Sequence, residues 1–227
     1  MDANEFRPLR AEILDQACCV RKEILRVKPL RTAVSEWKRV CKPESRLDAV
    51  NGRRKVVSNR SGIVLSESNV FAHRLVAQEI NRLAVTAFEE YGSNYSDWPA
   101  LAAFYGKMSD LGKSGEIVVA EIAANIVGAV AYIPPHQRKA PYFDQAWPVI
   151  RSLVVDPKSR GLGVGRALTQ ECIKRAGRDR SPVIALHTSA ILEVDLAMYL
   201  RMGFEWHHDA PAVYGVPYAV YLKKLLP

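Results

Sequence analysis

Three glycines at alternate positions form the part of this sequence that indicates chemistry most clearly. The segment reads Arg160-Gly-Leu-Gly-Val-Gly-Arg166 and follows the apolar residues 153–155 and an Asp-Pro turn. Because glycines have no Cβ atom, an anion can approach their backbone N–H groups closely. The helix predicted to follow directs its partial positive charge to the same point. With two arginines added, the pattern predicts a binding site for a diphosphate.

Two common phosphate-binding motifs do not fit this spacing. A P-loop needs Gly-x-x-x-x-Gly-Lys-Ser/Thr, and the segment contains no lysine. A dinucleotide fingerprint needs Gly-x-Gly-x-x-Gly and an acidic residue at the end of the next strand. Here the next predicted strand ends in His187-Thr-Ser189. A glycine-rich connection that holds no ligand is the plain structural alternative.

A tyrosine before a Gly-Phe pair accompanies the glycine segment. Tyr199-Leu-Arg-Met-Gly203-Phe204 begins 39 residues after Arg160, with one predicted helix and one predicted strand between them. Together the motifs resemble the GNAT superfamily of acetyl-CoA-dependent N-acetyltransferases. Its members combine Arg/Gln-x-x-Gly-x-Gly/Ala after a strand with Tyr-x-x-x-Gly-Phe in the helix after the next strand. The resemblance covers residues 61–227, and the first 60 residues lie outside it.

The resemblance implies that acetyl-CoA is a co-substrate held between two parallel strands that splay apart. The first strand would pair its main chain with pantetheine and direct an N–H near Val154 to the thioester carbonyl. Such a donor commonly lowers a barrier by roughly 3 kcal/mol. Some members have an asparagine at position 192 that contacts the cofactor; Leu192 cannot do this, and Ser189 is the candidate to replace it. The implied cofactor-binding residues are Leu153, Val154, Val155, Arg160, Gly161, Leu162, Gly163, Val164, Gly165, Arg166 and Ser189, and no metal is implied.

The implied reaction, attack of a neutral amine on a thioester, needs a base and an acid. An amine of pKa about 10 is mostly protonated at neutral pH, so a base must remove a proton directly or through water. Tyr199 matches the family's acid; a tyrosine packed on the sheet is its structural alternative. His187 is the candidate base because imidazole titrates in the useful range, and a structural histidine is its alternative. Asp144 and Glu121 are rival bases.

The acceptor site is expected between the two early helices, the loop 134–146 and the C-terminal strands. Aromatic residues in these segments indicate a partly aromatic cleft and a small acceptor, and no acidic cluster points to a polyamine. These residues are Trp98, Tyr105, Tyr142, Phe143, Trp147, Trp206 and Tyr214.

The elements that must position these residues follow the order β-α-α-β-β-β-α-β-α-β-β. This order predicts an α/β fold, with a GNAT-like mixed central sheet flanked by helices. Asp97 is predicted to cap the second helix, Asn125 to sit in a hairpin turn, and Gly203 to end the last helix in a left-handed conformation. Strands are predicted at 63–65, 116–122, 126–133, 148–155, 183–188, 204–208 and 218–223, and helices at 70–91, 98–112, 165–177 and 193–202.

The first quarter of the chain carries almost all of the net charge of +8. Residues 1–60 hold 15 Lys and Arg against 8 Asp and Glu, whereas residues 61–227 hold 17 against 16. Apolar periodicity predicts a basic, partly helical N-terminal extension, then a polar linker over 51–62 and a domain boundary near residue 61. An extension that packs on the domain or mediates a homodimer is favoured over a nucleic-acid-binding arm. Acidic residues are interleaved, and only Phe6 and Trp37 could stack on bases.

The composition excludes several classes of protein. Of the 227 residues, 48% are apolar and 25% charged, which is typical of globular domains. There is no apolar run of about 18 residues for a membrane helix, and no secretory signal. Four cysteines without a Cys-x-x-Cys pair form neither a zinc motif nor a disulfide framework. These features predict a cytoplasmic protein with no membrane partner.

The function predicted is transfer of the acetyl group of acetyl-CoA to an amine of a small molecule or peptide, by direct attack in a ternary complex. The alternative is a catalytically silent acyl-CoA-binding sensor or regulatory module. Such a module would keep the glycine segment but would not need Tyr199 or a base.

Overall fold

Eight strands form one mixed sheet in the computed structural model, which describes residues 55–57, 62–68 and 74–225. The strands are β1 Lys55–Val57, β2 Val64–Ser68, β3 Glu116–Ile122, β4 Asn125–Ile133, β5 Val149–Val155, β6 Val183–Thr188, β7 Glu205–Val213 and β8 Val216–Lys224. Their order across the sheet is β1-β2-β3-β4-β5-β6-β8-β7. β5 and β6 are parallel, and every other neighbouring pair is antiparallel.

The α-helices of the described residues pack on the two faces of this sheet over two hydrophobic cores. They are α1 Arg74–Phe88, α2 Trp98–Tyr105, α3 Val164–Arg178 and α4 Glu193–Arg201. β3 shows the division, because successive side chains of a strand point to opposite faces. Ile117 and Val119 belong to the core that holds α1 and α2. Val118 and Ala120 belong to the core that holds α3. The predicted mixed sheet flanked by helices is confirmed.

Several local predictions are also confirmed. β3 and β6 have the bounds that their apolar patterns predict. The Asp97 side chain accepts a hydrogen bond of 2.9 Å from the Ala100 N–H and caps α2, which has Pro99 in its first turn. Gly203 follows α4 with a φ of 83°, the left-handed conformation that glycine adopts most easily.

Two turn predictions are wrong. α2 ends at Tyr105, and the next N–H, of Lys107, bonds the Phe104 carbonyl three residues back instead of continuing the α-helical pattern. A short 3₁₀ helix, Met108–Lys113, covers the rest of the predicted span. In the β3–β4 hairpin the residue with turn geometry is not Asn125, which pairs with Ile122 as the first residue of β4. The pairing leaves two residues for the turn, 123 and 124, and both are alanines with positive φ.

The predicted N-terminal extension, residues 1–60, lies outside the described residues except for β1. Lys55–Val57 pair with β2 at the edge of the sheet, so the segment predicted as a linker contributes a strand. The domain boundary near residue 61 stays a prediction. Within the described ranges, the model contains no helix of the length and apolar character needed to cross a bilayer.

Candidate active site

The two parallel strands separate soon after they meet. β5 pairs with β6 only at Val149–Ala185 and Ile150–Leu186. Beyond Ile150, the edge of β5 that faces away from β4 is free of a neighbouring strand. This gap is the opening that the sequence predicts beside residues 153–155.

A β-bulge in β5 accounts for the separation. Ala131 of β4 lies opposite Arg151, and Ala129 lies opposite Val154. One residue of β4 therefore faces two residues of β5, and Ser152 takes a left-handed φ of 51°. A bulge of this kind bends its strand and increases the local twist. The sequence contains no glycine or proline here that would signal the bulge, and it was not predicted.

The glycine segment leaves β5 and enters α3 as expected. Asp156 caps a single 3₁₀ turn, and Gly163 is the N-cap residue of α3. Gly161 and Gly163 have φ of 77° and 84°, and a Cβ added at either would meet no atom within 4 Å. Their left-handed backbone conformation favours glycine at both positions, and the open space above them leaves the segment accessible to a ligand. Gly165 has an ordinary φ, and a Cβ there would lie 3.5 Å from the Met198 Sδ.

A cavity of about 280 Å³ opens over this segment, and we call it the glycine cavity. Its walls come from the end of α1, the end of β5, the glycine segment and α4. The lining residues are Ala87, Phe88, Tyr91, Leu153, Val154, Val155, Ser159, Arg160, Gly161, Gly163, Val164, Gly165, Arg166, Val194, Asp195, Met198, Arg201 and Met202. Every predicted cofactor-binding residue except Leu162 and Ser189 lines the glycine cavity.

Arg160 already has an anionic partner in the structure. Its Nη1 forms an ion pair with Glu90, and its Nη2 donates a hydrogen bond of 3.1 Å to the Ala87 carbonyl. The guanidinium is thereby held against the end of α1, at the wall of the glycine cavity. Arg166 lines the same cavity and is exposed.

A second cavity, of about 260 Å³, adjoins the first, and we call it the aromatic cavity. Phe88, Leu153 and Asp195 line both cavities. The remaining lining residues are Leu101, Phe104, Tyr105, Tyr142, Ile150, Arg151, Ser152, Leu186, His187, Thr188, Leu192, Tyr199, Val213, Tyr214 and Tyr218. The two predicted catalytic residues, Tyr199 and His187, thus line one cavity.

Tyr199 is held in the aromatic cavity as a protonated phenol. The side chain is 5% exposed, and its ring packs edge-on against Phe204 at 5.7 Å between centroids. Burial, with the nearby charge of Asp195 adding to it, raises the pKa of Tyr199 well above its ordinary value. A phenol that remains protonated at neutral pH can act as a proton donor but not as a base.

His187 lies in a stack of aromatic rings. Its ring is 4.4 Å from the Tyr218 ring and 5.0 Å from the Tyr142 ring, between centroids. The Nε2 nitrogen is buried and has no hydrogen-bond partner among the described residues. Burial, together with the positive charge of Arg151, lowers the pKa of His187 to about 4. The imidazole is therefore neutral at pH 7, and its Nε2 is left without a hydrogen bond among the described residues.

Asp195 is an acidic residue of this site that was not predicted from the sequence. It lies one helical turn before Tyr199 on α4, so both side chains occupy the same face of that helix. Burial raises the pKa of the Asp195 carboxyl, and the positive charge of Arg160 partly offsets this effect. An acidic residue four positions before the motif tyrosine was the signal in the sequence.

Some of the predicted residues lie elsewhere. Ser189 is buried outside both cavities, where its Oγ lies 3.5 Å from the Ile191 N–H. Leu162 is 50% exposed and lines neither cavity. The rival base Asp144 is exposed and binds the Ala146 N–H in its own loop, and Glu121 lies on β3 beside Ser66.

Only some of the aromatic residues predicted for the acceptor site line the aromatic cavity. Tyr105, Tyr142 and Tyr214 line the aromatic cavity, whereas Trp98, Phe143, Trp147 and Trp206 do not. Phe88, Phe104 and Tyr218 line it without having been predicted. Among the described residues, no three His, Cys, Asp or Glu side chains are grouped in a way that could bind a metal ion.

Comparison with known proteins identifies the family. Residues 77–204, more than half of the chain, match the model of the acetyltransferase (GNAT) family. The chain therefore belongs to this family, and the resemblance predicted from the two motifs is confirmed. A search of curated proteins found no match.

Solved structures of low sequence identity share the fold. PH1933 from Pyrococcus horikoshii is 19% identical, with a TM-score of 0.57 over 73% of this chain and 99% of its own. Ard1 from Thermoplasma volcanium is 16% identical, with a TM-score of 0.56 over 73% and 99%. A Corynebacterium glutamicum protein described as histone acetyltransferase HPA2 and related acetyltransferase is 21% identical, with a TM-score of 0.55 over 72% and 97%.

Proposed function

We propose that the protein transfers the acetyl group of acetyl-CoA to an amine of a small molecule or peptide, by direct attack in a ternary complex. The observation that carries this proposal is the junction of the two cavities. The glycine cavity is lined by main chain suited to a diphosphate. The aromatic cavity is lined by rings and proton-transfer groups, and the two cavities share Leu153 and Asp195. Two substrates bound in these cavities would meet beside the free edge of β5.

The glycine cavity fits the diphosphate of coenzyme A. Its glycines present N–H groups without a Cβ in front of them, and the N-terminus of α3 adds its partial positive charge. Arg166 supplies a full charge at the same wall, and Arg160 can do so when it leaves Glu90. The main-chain groups of Val154 face Ala129 of β4, so the free edge of β5 offers those of Leu153 and Val155 to the pantetheine amides.

Acetyl-CoA supplies the acetyl group as a thioester, which is activated toward attack by an amine. The protein must then stabilise negative charge on the carbonyl oxygen and provide a proton for the departing sulfur. A main-chain N–H of β5 near Val154 is proposed for the first task. Tyr199 is proposed for the second, because its burial keeps the phenol protonated.

His187 is proposed to accept the proton of the amine. A pKa of about 4 makes it a weak base toward a free amine. The N–H protons of the amine nevertheless become far more acidic as its nitrogen bonds to carbon, so a neutral imidazole can remove one at that stage. Its Nε2, which has no hydrogen-bond partner among the described residues, is the atom proposed for this step.

Calorimetric titration with acetyl-CoA, followed by an amine panel with detection of free thiol, tests the proposal. We expect saturable heat on titration and thiol release that depends on the amine. Binding without thiol release for any amine would favour the silent sensor. Absence of binding would contradict both functions.

A further inference from the structure

Arg151 is an unpaired cation in the aromatic cavity. Of the arginines and lysines that the structure describes, it alone lines this cavity, and it is partly buried. Within the described residues it forms no ion pair, whereas Arg160, Arg175 and Arg178 each have a carboxylate partner. A partly buried guanidinium without a carboxylate partner is free to bind an anionic ligand that enters the cavity.

Arg151 and Asp195 occupy different parts of the aromatic cavity. Arg151 does not line the glycine cavity, and its charge acts on His187 and Tyr142. Asp195 lines both cavities and is not paired with Arg151. The carboxyl group of Asp195 thus lies at the junction, where an amine must react, whereas Arg151 lines the aromatic cavity alone.

The remaining walls suit a small acceptor with an apolar body. The aromatic cavity of about 260 Å³ is near the lower end of ligand-binding pockets. Its polar groups are few, and its other walls are mostly rings. The rings are Phe88, Phe104, Tyr105, Tyr142, Tyr214 and Tyr218.

We infer that the acceptor is a free amino acid with an aromatic or large apolar side chain, whose carboxylate is bound by Arg151 and whose amine lies at Asp195. This inference rests on the proposed function and narrows its acceptor class. A guanidinium can bind a carboxylate through two parallel hydrogen bonds. In a peptide, the carbon that bears the N-terminal amine is joined to an amide instead of a carboxylate. A peptide N-terminus would therefore leave Arg151 unpaired.

The experiment compares phenylalanine, phenylalaninamide and phenethylamine as acceptors, with acetyl-CoA and free-thiol detection. Wild type is compared with Arg151→Gln, Arg151→Lys and Arg82→Gln. Arg82 is exposed on α1 and lines neither cavity, so Arg82→Gln is the matched control. The quantity measured is the kcat/KM for phenylalanine divided by that for phenethylamine. The intrinsic reactivity of each amine cancels when this ratio is compared between proteins.

We expect wild type to acetylate phenylalanine, and Arg151→Gln to lower the ratio at least about tenfold, which is typical for loss of a hydrogen bond to a charged group. Arg151→Lys should retain part of the preference, and Arg82→Gln all of it. An unchanged ratio in Arg151→Gln would overturn the inference. Acetyl-CoA binding with no turnover of phenylalanine would also overturn it. In that case the proposed function would still be tested by the wider amine panel. If acetyl-CoA does not bind, the proposed function itself fails.

Discussion

The two cavities differ in what they are made of. The glycine cavity takes its binding groups largely from one continuous segment, residues 153–166, and from main-chain atoms of that segment. The aromatic cavity collects side chains from α1, α2, the 134–146 loop, β5, β6, α4 and the β7–β8 hairpin. A ligand common to a whole family can be bound by main chain, because backbone geometry persists when side chains change. A ligand particular to one protein needs side chains.

The same contrast appears in the electrostatics. In the glycine cavity, the charge of Arg160 is balanced by Glu90. In the aromatic cavity, Arg151 has no ion-pair partner and the His187 Nε2 no hydrogen-bond partner among the described residues. Buried polar groups of folded proteins are normally hydrogen-bonded, so the unpartnered His187 Nε2 is an exception. Arg151 is partly buried, and its unpaired charge faces the same cavity.

Tyr199→Phe is expected to have the largest effect and to separate the two cavities. Loss of the phenolic proton donor should lower kcat about 100-fold, the usual contribution of general acid catalysis. Acetyl-CoA affinity, measured by calorimetry, should be unchanged because the hydroxyl does not line the glycine cavity. Tyr221→Phe, a partly buried tyrosine of β8 outside both cavities, is the control. Equal turnover in the Tyr199 variant would remove this residue from the mechanism.

Gly163→Ala should have the next largest effect, and on the other cavity. A left-handed alanine costs about 1–2 kcal/mol, and its methyl group would project into the open space above the segment. The Kd for acetyl-CoA should rise about tenfold, with a fall of about 1 kcal/mol in the free energy of unfolding. Leu162→Ala, at an exposed position outside the cavity, should leave the Kd unchanged. Normal affinity in the Gly163 variant would show that the segment does not bind the diphosphate.

His187→Phe tests whether His187 is a buried, neutral imidazole, through the pH dependence of the free energy of unfolding. The pKa of His187 is about 4 in the folded protein and 6.5 as its ordinary value, so the unfolded chain binds more protons between these pH values. The folded state therefore loses stability as pH falls through this window, by about 3 kcal/mol at pH 4. Denaturant unfolding at pH 7 and pH 4.5 should show a smaller acid loss in the variant than in wild type. Equal losses in the two proteins would mean that His187 is not a buried, neutral imidazole.

Glu90→Gln should have the smallest effect, and it tests whether the Glu90–Arg160 ion pair competes with acetyl-CoA for Arg160. The variant removes the carboxylate that holds Arg160, and both side chains are partly exposed, which limits the strength of the pair. We expect acetyl-CoA to bind about threefold more tightly by calorimetry. Glu89→Gln, on the adjacent exposed position, is the control. Weaker binding in Glu90→Gln would indicate that Glu90 positions Arg160 for the phosphates instead of competing with them.

Local sequence was sufficient where one segment determines its own conformation. The bounds of β3, the Asp97 cap and the left-handed Gly203 follow from residues close together in the chain. The Ser152 bulge was not predictable in this way. It arises because the pairing with β4 passes from Ala131–Arg151 to Ala129–Val154, so one strand has an extra residue.

The sequence by itself determined the family of this protein and the position of the glycine segment at the start of α3. Both depend on short motifs whose glycines, arginine and tyrosine act through local backbone geometry. Tertiary structure alone decided which side chains share the aromatic cavity. It joined Arg151 of β5, His187 of β6 and Asp195 of α4, and excluded Ser189 and Asp144. The physical reason is that burial and the proximity of charges depend on contacts between distant segments, which no local pattern of residues encodes.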